Sequence, residues 1–341
     1  MTSLRPIEII GGGLAGLALG LALRRAQAPV SLHESGGYPR HRVCGEFITG
    51  LTEATVSRLG LGACLQDALR HSEVAWFHEG RLVHRQHLPA PARALSRHRL
   101  DARLAAAFVE AGGQLHLQSR VPPGAAQPGR VYTTGRGSAP SPWIGLKIHV
   151  RNLDLQCDLE LHLGDDAYVG LTRVEDGRVN VCGLFRRRAL IAKGPALILA
   201  YLDAAALPVL AGRLTGSDFD PESFAAVAAV DFDGQVPAAP GRLAVGDACA
   251  RIPPFTGNGM AMAFQGAEVA LDPLLAYARG MAAWPETCAT IQAGLHRRFR
   301  MRLAAARLMH PFLLQPPRQR WLTRLSQARL LPFRPLYSVL H

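Results

Sequence analysis

The spacing of apolar residues changes period along this chain. Ile7-Glu8-Ile9-Ile10 is a short apolar run of the kind buried in a parallel sheet. Leu14 to Ala26 is rich in Ala and Leu and predicts a helix. Arg24 and Arg25 lie near its end, where cations complement the helix dipole. A second strand is predicted over Val30-Ser31-Leu32-His33-Glu34. The series Leu59, Leu61, Leu65 and Leu69 predicts a helix within 51–70. Val74 to His78 and Arg81 to His84 flank Glu79-Gly80 as a hairpin. Another helix is expected from Arg97 to Ala111, stopped by Gly112-Gly113.

Between 142 and 185 the period becomes two. Ile144, Leu146, Ile148 and Val150 alternate with Gly145, Lys147 and His149. Similar alternation recurs in Leu159 to Leu163, Tyr168 to Arg173 and Arg178 to Leu184. Gly164-Asp165-Asp166 and Glu175-Asp176-Gly177 supply turns between them. This is the pattern of an inserted antiparallel sheet. Lys147 and His149 share one face of its first strand; His149 is expected to point to solvent, and the direction of Lys147 is left open. From about 194 a helical stretch is expected. Leu243-Ala244-Val245 returns as a buried strand, and the chain from Met260 is mostly helical.

The fold class that follows is α/β. A Rossmann-like parallel-sheet domain carries an inserted antiparallel-sheet substrate domain and a helical C-terminus. Residues 1–70, 93–141 and 236–280 are assigned to the nucleotide-binding domain. The hairpin 71–92 and residues 142–235 go to the substrate domain, and 281–341 form a basic helical region.

The chain has 341 residues and 48% hydrophobic content, enough for two subdomains or one large interwoven unit. No stretch is long and apolar enough to suggest a signal peptide or a spanning helix. The six cysteines (44, 64, 157, 182, 249, 288) form no CxxC pair, which suits reduced thiols and a cytoplasmic location. The 13 histidines are scattered, and no metal site is expected. The net charge is +12, carried almost wholly by arginine. No Asp or Glu follows Glu286, whereas ten arginines from Arg297 to Arg334 do, interleaved with Phe299, Leu303, Leu308, Met309, Phe312 and Trp321. Such a tail could be a solvated face capping the core. It could equally meet an anionic membrane surface peripherally, or an acidic carrier protein. No nucleic-acid recognition motif accompanies the charge.

Two motifs carry chemistry. Gly11-x-Gly13-x-x-Gly16 joins the first strand to the first helix. Its first glycine permits a tight turn, its second lets a pyrophosphate approach the backbone, and its third lets helix and strand pack closely. The helix N-terminus offers unpaired N–H groups to phosphate. Glu34 ends the second strand 18 residues after Gly16, near the spacing of a carboxylate that binds an adenosine ribose. The other motif is Gly246-Asp247-Ala248 with the following Pro253-Pro254-Phe255-Thr256-Gly257-Asn258-Gly259. Together they imply that a long dinucleotide is bound at both ends.

These motifs, over roughly residues 5–275, resemble the FAD superfamily of class A flavoprotein monooxygenases, geranylgeranyl reductases and flavin-dependent halogenases. The resemblance implies FAD as cofactor and NAD(P)H as its reductant. It assigns Gly11, Gly13, Gly16 and Glu34 to the ADP half. Arg97, with Leu100 and Asp101, resembles a helix start whose arginine approaches the pyrophosphate, and Arg42 joins this cofactor-binding set. Gly246 and Asp247 would bind the ribityl and phosphate region. Pro254, Gly257, Asn258, Gly259 and Met260 would lie beside the flavin pyrimidine, where N–H groups favour negative charge on the reduced ring. Cys44-Gly45-Glu46 is similar to a segment of the reductase branch, making Cys44 and Glu46 the candidate catalytic residues. Cys44 could donate a proton or only shape an apolar pocket; Glu46 could be a general acid or a hydrogen-bond partner in its loop. Val131-Tyr132-Thr133-Thr134-Gly135-Arg136 departs from the family, with threonine where hydroxylases carry the aspartate of an Asp-Gly pair. The segment from Gly113 to Val131 is also short.

The resemblance therefore implies an FAD-dependent monooxygenase that hydroxylates or epoxidises an apolar aromatic, polyketide or isoprenoid substrate. The alternative is a geranylgeranyl-reductase-like enzyme that saturates C=C bonds by flavin hydride transfer. A lipid- or partner-binding protein of the same fold without catalysis is the third reading. The partner expected in every case is a lipophilic small molecule.

Overall fold

The computed structural model describes residues 4–122, 126–135, 140–189, 192–232 and 241–340. The chain opens with β1 (Ile7–Ile10), α1 (Leu14–Arg25), β2 (Val30–His33), β3 (Phe47–Ile48) and α2 (Glu53–Leu59). Then come β4 (Leu69–His78), β5 (Arg81–Ala94), α3 (Arg97–Glu110), β6 (Gln114–His116) and β7 (Arg130–Tyr132). The middle holds β8 (Trp143–Arg151), β9 (Leu159–Gly164), β10 (Ala167–Arg173), β11 (Val179–Arg186), α4 (Ala196–Ala204), α5 (Pro208–Thr215) and β12 (Asp218–Ala228). The last part is β13 (Leu243–Ala244), α6 (Gly259–Ala278), α7 (Trp284–Leu314), α8 (Pro316–Gln327) and α9 (Phe333–Leu340).

Two sheets organise these elements. The first is a five-stranded parallel sheet in the order β13-β7-β1-β2-β6. Its strands are short and apolar because helices cover them: Ile7, Ile9 and Leu32 are fully buried, beneath α1, α3 and α6. The second is an eight-stranded sheet in the order β12-β8-β11-β10-β9-β4-β5-β3. All its pairs are antiparallel except β4 with β9. One face packs on α4 and α5 through Leu146, Ile148, Leu202 and Leu210, which follows from the period-two alternation.

Three predicted elements end differently. The helix expected within 51–70 is only α2, which Thr52 caps and Gly60 stops at a φ of +73°. Leu61 and Leu65 are buried all the same, through a short turn that wraps onto the core before β4 begins. Their helical spacing reflects burial rather than a continued helix. The hairpin strands reach well beyond 74–84. The helical stretch after 194 gives way to β12, a strand paired on one side only and interrupted by a bulge between Asp220 and Ala225. Its Asp218, Asp220, Pro221 and Glu222 carry no apolar alternation, so sequence pattern misses it.

No helix among the described residues is long and apolar enough to cross a membrane. Among the same residues no cluster of three or more His, Cys, Asp or Glu side chains could hold a metal ion.

Candidate active site

A cavity of about 870 Å³ runs between the two sheets. One end is lined by Gly11, Gly13, Glu34, Arg42, Arg97 and Asp247. Pro254, Gly257, Gly259 and Met260 line its middle, and Trp76, Leu161, Tyr168, Leu184 and Phe255 give it an apolar far wall. Gly16 and Gly246 lie just outside the lining and act through packing.

The glycine turn is built as its spacing requires. Gly11 has a φ of +112°, and a Cβ there would lie 2.5 Å from the Thr133 carbonyl oxygen. A Cβ on Gly16 would stand 2.1 Å from the Gly11 carbonyl oxygen, so α1 can cross β1 only without a side chain at that point. Gly13, the N-cap of α1, is different: a Cβ there would meet nothing within 4 Å. Its freedom faces open cavity at a helix N-terminus, where a phosphate group fits.

Glu34 closes this end. Its carboxylate accepts from the N–H groups of Gly12 (2.8 Å) and Gly36 (2.9 Å) and pairs with Arg40 at 2.8 Å. Burial pushes its pKa up, but those two N–H groups, Arg40 and Arg42 outweigh it, and the carboxyl titrates below its usual range. Tyr38, which carries no recognisable sequence signal, donates to the Gly12 carbonyl at 2.5 Å and braces the turn.

Arg42 and Arg97 reach the cavity from a loop and from the start of α3, and buried Asp101 holds both. Arg97 donates to its two oxygens at 2.7 and 2.8 Å, and Arg42 donates at 3.0 Å. Arg42 Nη2 also lies 3.9 Å from the Glu34 carboxylate, so Arg40, Arg42 and Arg97 share two carboxylates, Glu34 and Asp101, and one positive charge is left over for an anion. Nη2 of Arg42 is buried and makes no hydrogen bond among the described residues. That orphaned donor, the open cradle at Gly13 and the carboxylate of Glu34 fit the pyrophosphate and ribose of a bound dinucleotide.

The second motif lies against the first. Gly246, at a φ of +71°, comes so near α1 that a Cβ would stand 2.9 Å from the Ala15 Cβ. Asp247 lies in the short turn that follows and lines the cavity. Gly257 has a φ of +67°, and α6 starts two residues later at Gly259. Asn258 is buried behind the lining, near Thr49. Thr134 and Gly135, at the end of β7, line the cavity where an Asp-Gly pair is expected in hydroxylases; Arg136 lies outside the described residues.

Cys44 lines the cavity, whereas Glu46 lies behind its wall. Burial raises the Cys44 thiol above its ordinary pKa, although Arg97 opposes this, so the thiol is held neutral. Fully buried Glu46, at a φ of +55°, binds three partners. Its carboxylate accepts from the Arg97 N–H at 2.9 Å, bonds His149 Nε2 at 2.6 Å, and lies 3.6 Å from Lys147 Nζ. The expectation that His149 points to solvent is therefore corrected. His149 and Lys147 are both fully buried on the face of β8 turned toward this loop. Lys147 Nζ continues to His41 Nδ1 at 3.0 Å, and the His41 ring stacks on His98.

Burial, followed by the positive charge of Lys147 and the His98 ring, lowers the pKa of His41 to about 4. Burial likewise lowers the Lys147 pKa, with Glu46 opposing it. On Glu46, the His149 hydrogen bond and the Lys147 charge overcome burial and pull the carboxyl below its usual range. A carboxylate so engaged lies outside the cavity lining, and its bond from the Arg97 N–H ties the loop after Cys44-Gly45 to the start of α3. No motif marks this cluster, whose members are separated by up to about a hundred residues. The one available signal was the odd presence of Lys147 and His149 on a strand whose alternate residues are apolar.

The far end of the cavity is lined by α9, within the tail whose charge and apolar residues suit either a solvated face capping the core or a partner-binding surface. Phe333, Leu336, Tyr337 and Leu340 of α9 line it, and the Phe333 ring packs near Trp76 and His84.

No protein-family model matches the chain. A menaquinone reductase of Mycolicibacterium smegmatis is 26% identical over 125 residues, a match that covers 36% of this chain and 31% of that protein. Solved structures align over nearly the whole chain. A flavin-dependent brominase superposes with a TM-score of 0.75 at 16% identity, covering 99% of this chain and 93% of that one. PqsL of Pseudomonas aeruginosa, in complex with 2-aminobenzoylacetate, gives a TM-score of 0.72 at 16% identity over 93% and 98% of the two chains. The p-nitrophenol 4-monooxygenase of Pseudomonas putida gives 0.72 at 15% identity over 99% of each. With its five-stranded parallel sheet, its second, mostly antiparallel sheet and its C-terminal helices, the chain has the fold of the FAD-dependent monooxygenases.

Proposed function

We propose that this protein is an FAD-dependent oxidoreductase that transfers oxygen to an apolar substrate, with NAD(P)H as reductant. The observation that carries this reading is the continuity of the cavity between the two sheets. It joins a phosphate-binding turn and paired arginines at one end to an aromatic and aliphatic chamber at the other. Bound FAD would supply the redox chemistry, including activation of oxygen. The chain's own residues do the rest. Gly13 and the start of α1 receive the pyrophosphate beside Arg42 and Arg97. Glu34 is placed for the adenosine ribose, and Asp247 for the linker between the two halves. The N–H groups at the start of α6 favour negative charge on the reduced ring. Trp76, Leu161, Tyr168 and Phe255 orient an apolar substrate and exclude water.

A second reading rests on Cys44. Its neutral thiol in the cavity wall could give a proton to a carbon after hydride transfer to a C=C bond, and the partial match to a menaquinone reductase points the same way. In that case Cys44 is catalytic; for oxygen transfer it only shapes the pocket. Glu46 is a positioning residue under both readings.

One labelling experiment separates them. Holoenzyme is reduced with NAD(P)H and exposed to ¹⁸O₂ with a panel of prenylated quinones and polycyclic aromatics. Incorporation of ¹⁸O into product supports oxygen transfer. A product that gains two hydrogens without oxygen, lost in Cys44→Ala, supports alkene reduction instead. Protein that binds no flavin when FAD is in excess contradicts both.

A further inference from the structure

The arginine-rich tail has two faces with different tasks. The inner face of α9 closes the apolar chamber, while its outer face exposes Arg334, Ser338 and Val339. The same division holds along the preceding helices. On α7, Arg297, Arg300, Met301 and Leu308 fall on one exposed stripe at helical spacing. On α8, Arg320, Trp321 and Arg324 do the same.

The protruding apolar groups are large. Met301 is 63% exposed, Leu308 75%, Trp321 56% and Leu330 68%. They are not core residues left without a partner, because α8 is already secured from its other side. Gln319 is buried and donates to the carbonyls of Gly164 and Leu313, and Ser326 donates to the Val83 carbonyl at 2.6 Å. No carboxylate occurs after Glu286, so nothing in the tail itself neutralises these arginines.

We infer that this outer face docks on an anionic phospholipid bilayer, and that the substrate is a membrane-resident lipid that reaches the chamber past α9. The second half of the inference rests on the proposed function, because it takes the apolar chamber as the substrate site. Charge complementarity selects the occupant: exposed arginines favour anionic headgroups, and the exposed Trp321, Leu308, Leu330 and Met301 suit the interfacial layer. The apolar residues stand out singly on α7, on α8 and in the connection after α8.

The test is flotation of the FAD-loaded, full-length protein with phosphatidylcholine vesicles, with and without phosphatidylglycerol. The inference expects binding only to the anionic vesicles, weakened by salt. Combined Arg320→Gln, Arg324→Gln and Arg329→Gln should lower vesicle affinity on the order of a hundredfold. Trp321→Ala with Leu330→Ser should lower it roughly tenfold. Flavin content and melting temperature should not change in either variant, since every altered side chain is exposed. Equal binding to neutral vesicles, no binding by the unaltered chain, or variants that bind as well as it does would overturn the inference. So would capture by an acidic carrier protein without any vesicle binding. If vesicle binding fails while flavin stays bound, the membrane inference falls and the proposed function stands. If flavin does not bind but vesicles do, the bilayer docking stands, while the proposed function falls and takes the substrate half of the inference with it.

Discussion

The two halves of the cavity are held by different means. Around Gly11, Gly13 and Gly16 the work is done by backbone: a turn at positive φ, a close helix–strand crossing and free N–H groups. Around Cys44 the wall is held by side chains that converge from a loop, from the start of α3 and from β8. Glu46 and Lys147 form a fully buried ion pair there, with His149 hydrogen-bonded to Glu46. Damage to the first half should be local and felt by the cofactor. Damage to the second should be felt by the whole fold, because removing one member takes a partner from buried polar groups that water does not reach.

The largest effect is therefore expected at Glu46. Glu46→Ala leaves buried Lys147 without its counter-charge and buried His149 without its Nε2 partner, which should cost about 3–5 kcal/mol. Denaturant unfolding measures it. Glu46→Gln combined with Lys147→Met removes both charges and should recover much of that loss. A Glu46→Ala protein as stable as the parent would mean that the cluster is hydrated and the contrast between the halves is wrong.

Gly16→Ala comes next. The added methyl meets the Gly11 carbonyl, so α1 must shift from β1 at a cost of about 1–3 kcal/mol, with weaker flavin binding as a consequence. Thermal unfolding with and without FAD separates the two effects. Equal stability would show that the helix can slide without penalty.

A smaller effect is expected from acid. Burial lowers the pKa of His310 to about 4, against an ordinary 6.5, where it packs among Tyr168, Phe232 and Phe255. The unfolded chain takes up this proton first as pH falls. The stabilising contribution is therefore complete above about pH 6.5 and is lost progressively toward pH 4. His41, with a pKa lowered to about 4, adds to the same slope. Urea midpoints followed from about pH 7 to pH 5 should decline, and His310→Phe should flatten the decline. An unchanged slope in that variant would remove His310 as a contributor.

The same contrast explains what the sequence could and could not disclose. The β1 glycine turn, the acid after β2 and the Gly246-Asp247 segment are each contiguous, because backbone geometry is specified by neighbours in the chain. Strands β8 to β11 were readable since one face is buried and alternation survives. The strand β12 was not, because it pairs on one side and carries Asp218, Asp220 and Glu222. The Glu46 cluster is long-range: His149 lies 103 residues from Glu46 and touches it only after two sheets assemble. A polar residue on a strand normally reads as a solvated position, whereas His149 is fully buried. Charge in the tail is readable from composition, but not the fact that the inner side of α9 lines the chamber.

The central claim is that the turn at Gly13 cradles the pyrophosphate of FAD. Titration of FAD into the flavin-free protein and into Gly13→Ala, followed by flavin absorbance and by melting temperature, tests it. The account predicts one flavin bound per chain in the parent. It predicts FAD affinity at least about tenfold weaker in Gly13→Ala, with the flavin-free melting temperature unchanged, because the added methyl meets only cavity. Equal FAD affinity in the two proteins, or no binding by the parent, would contradict it.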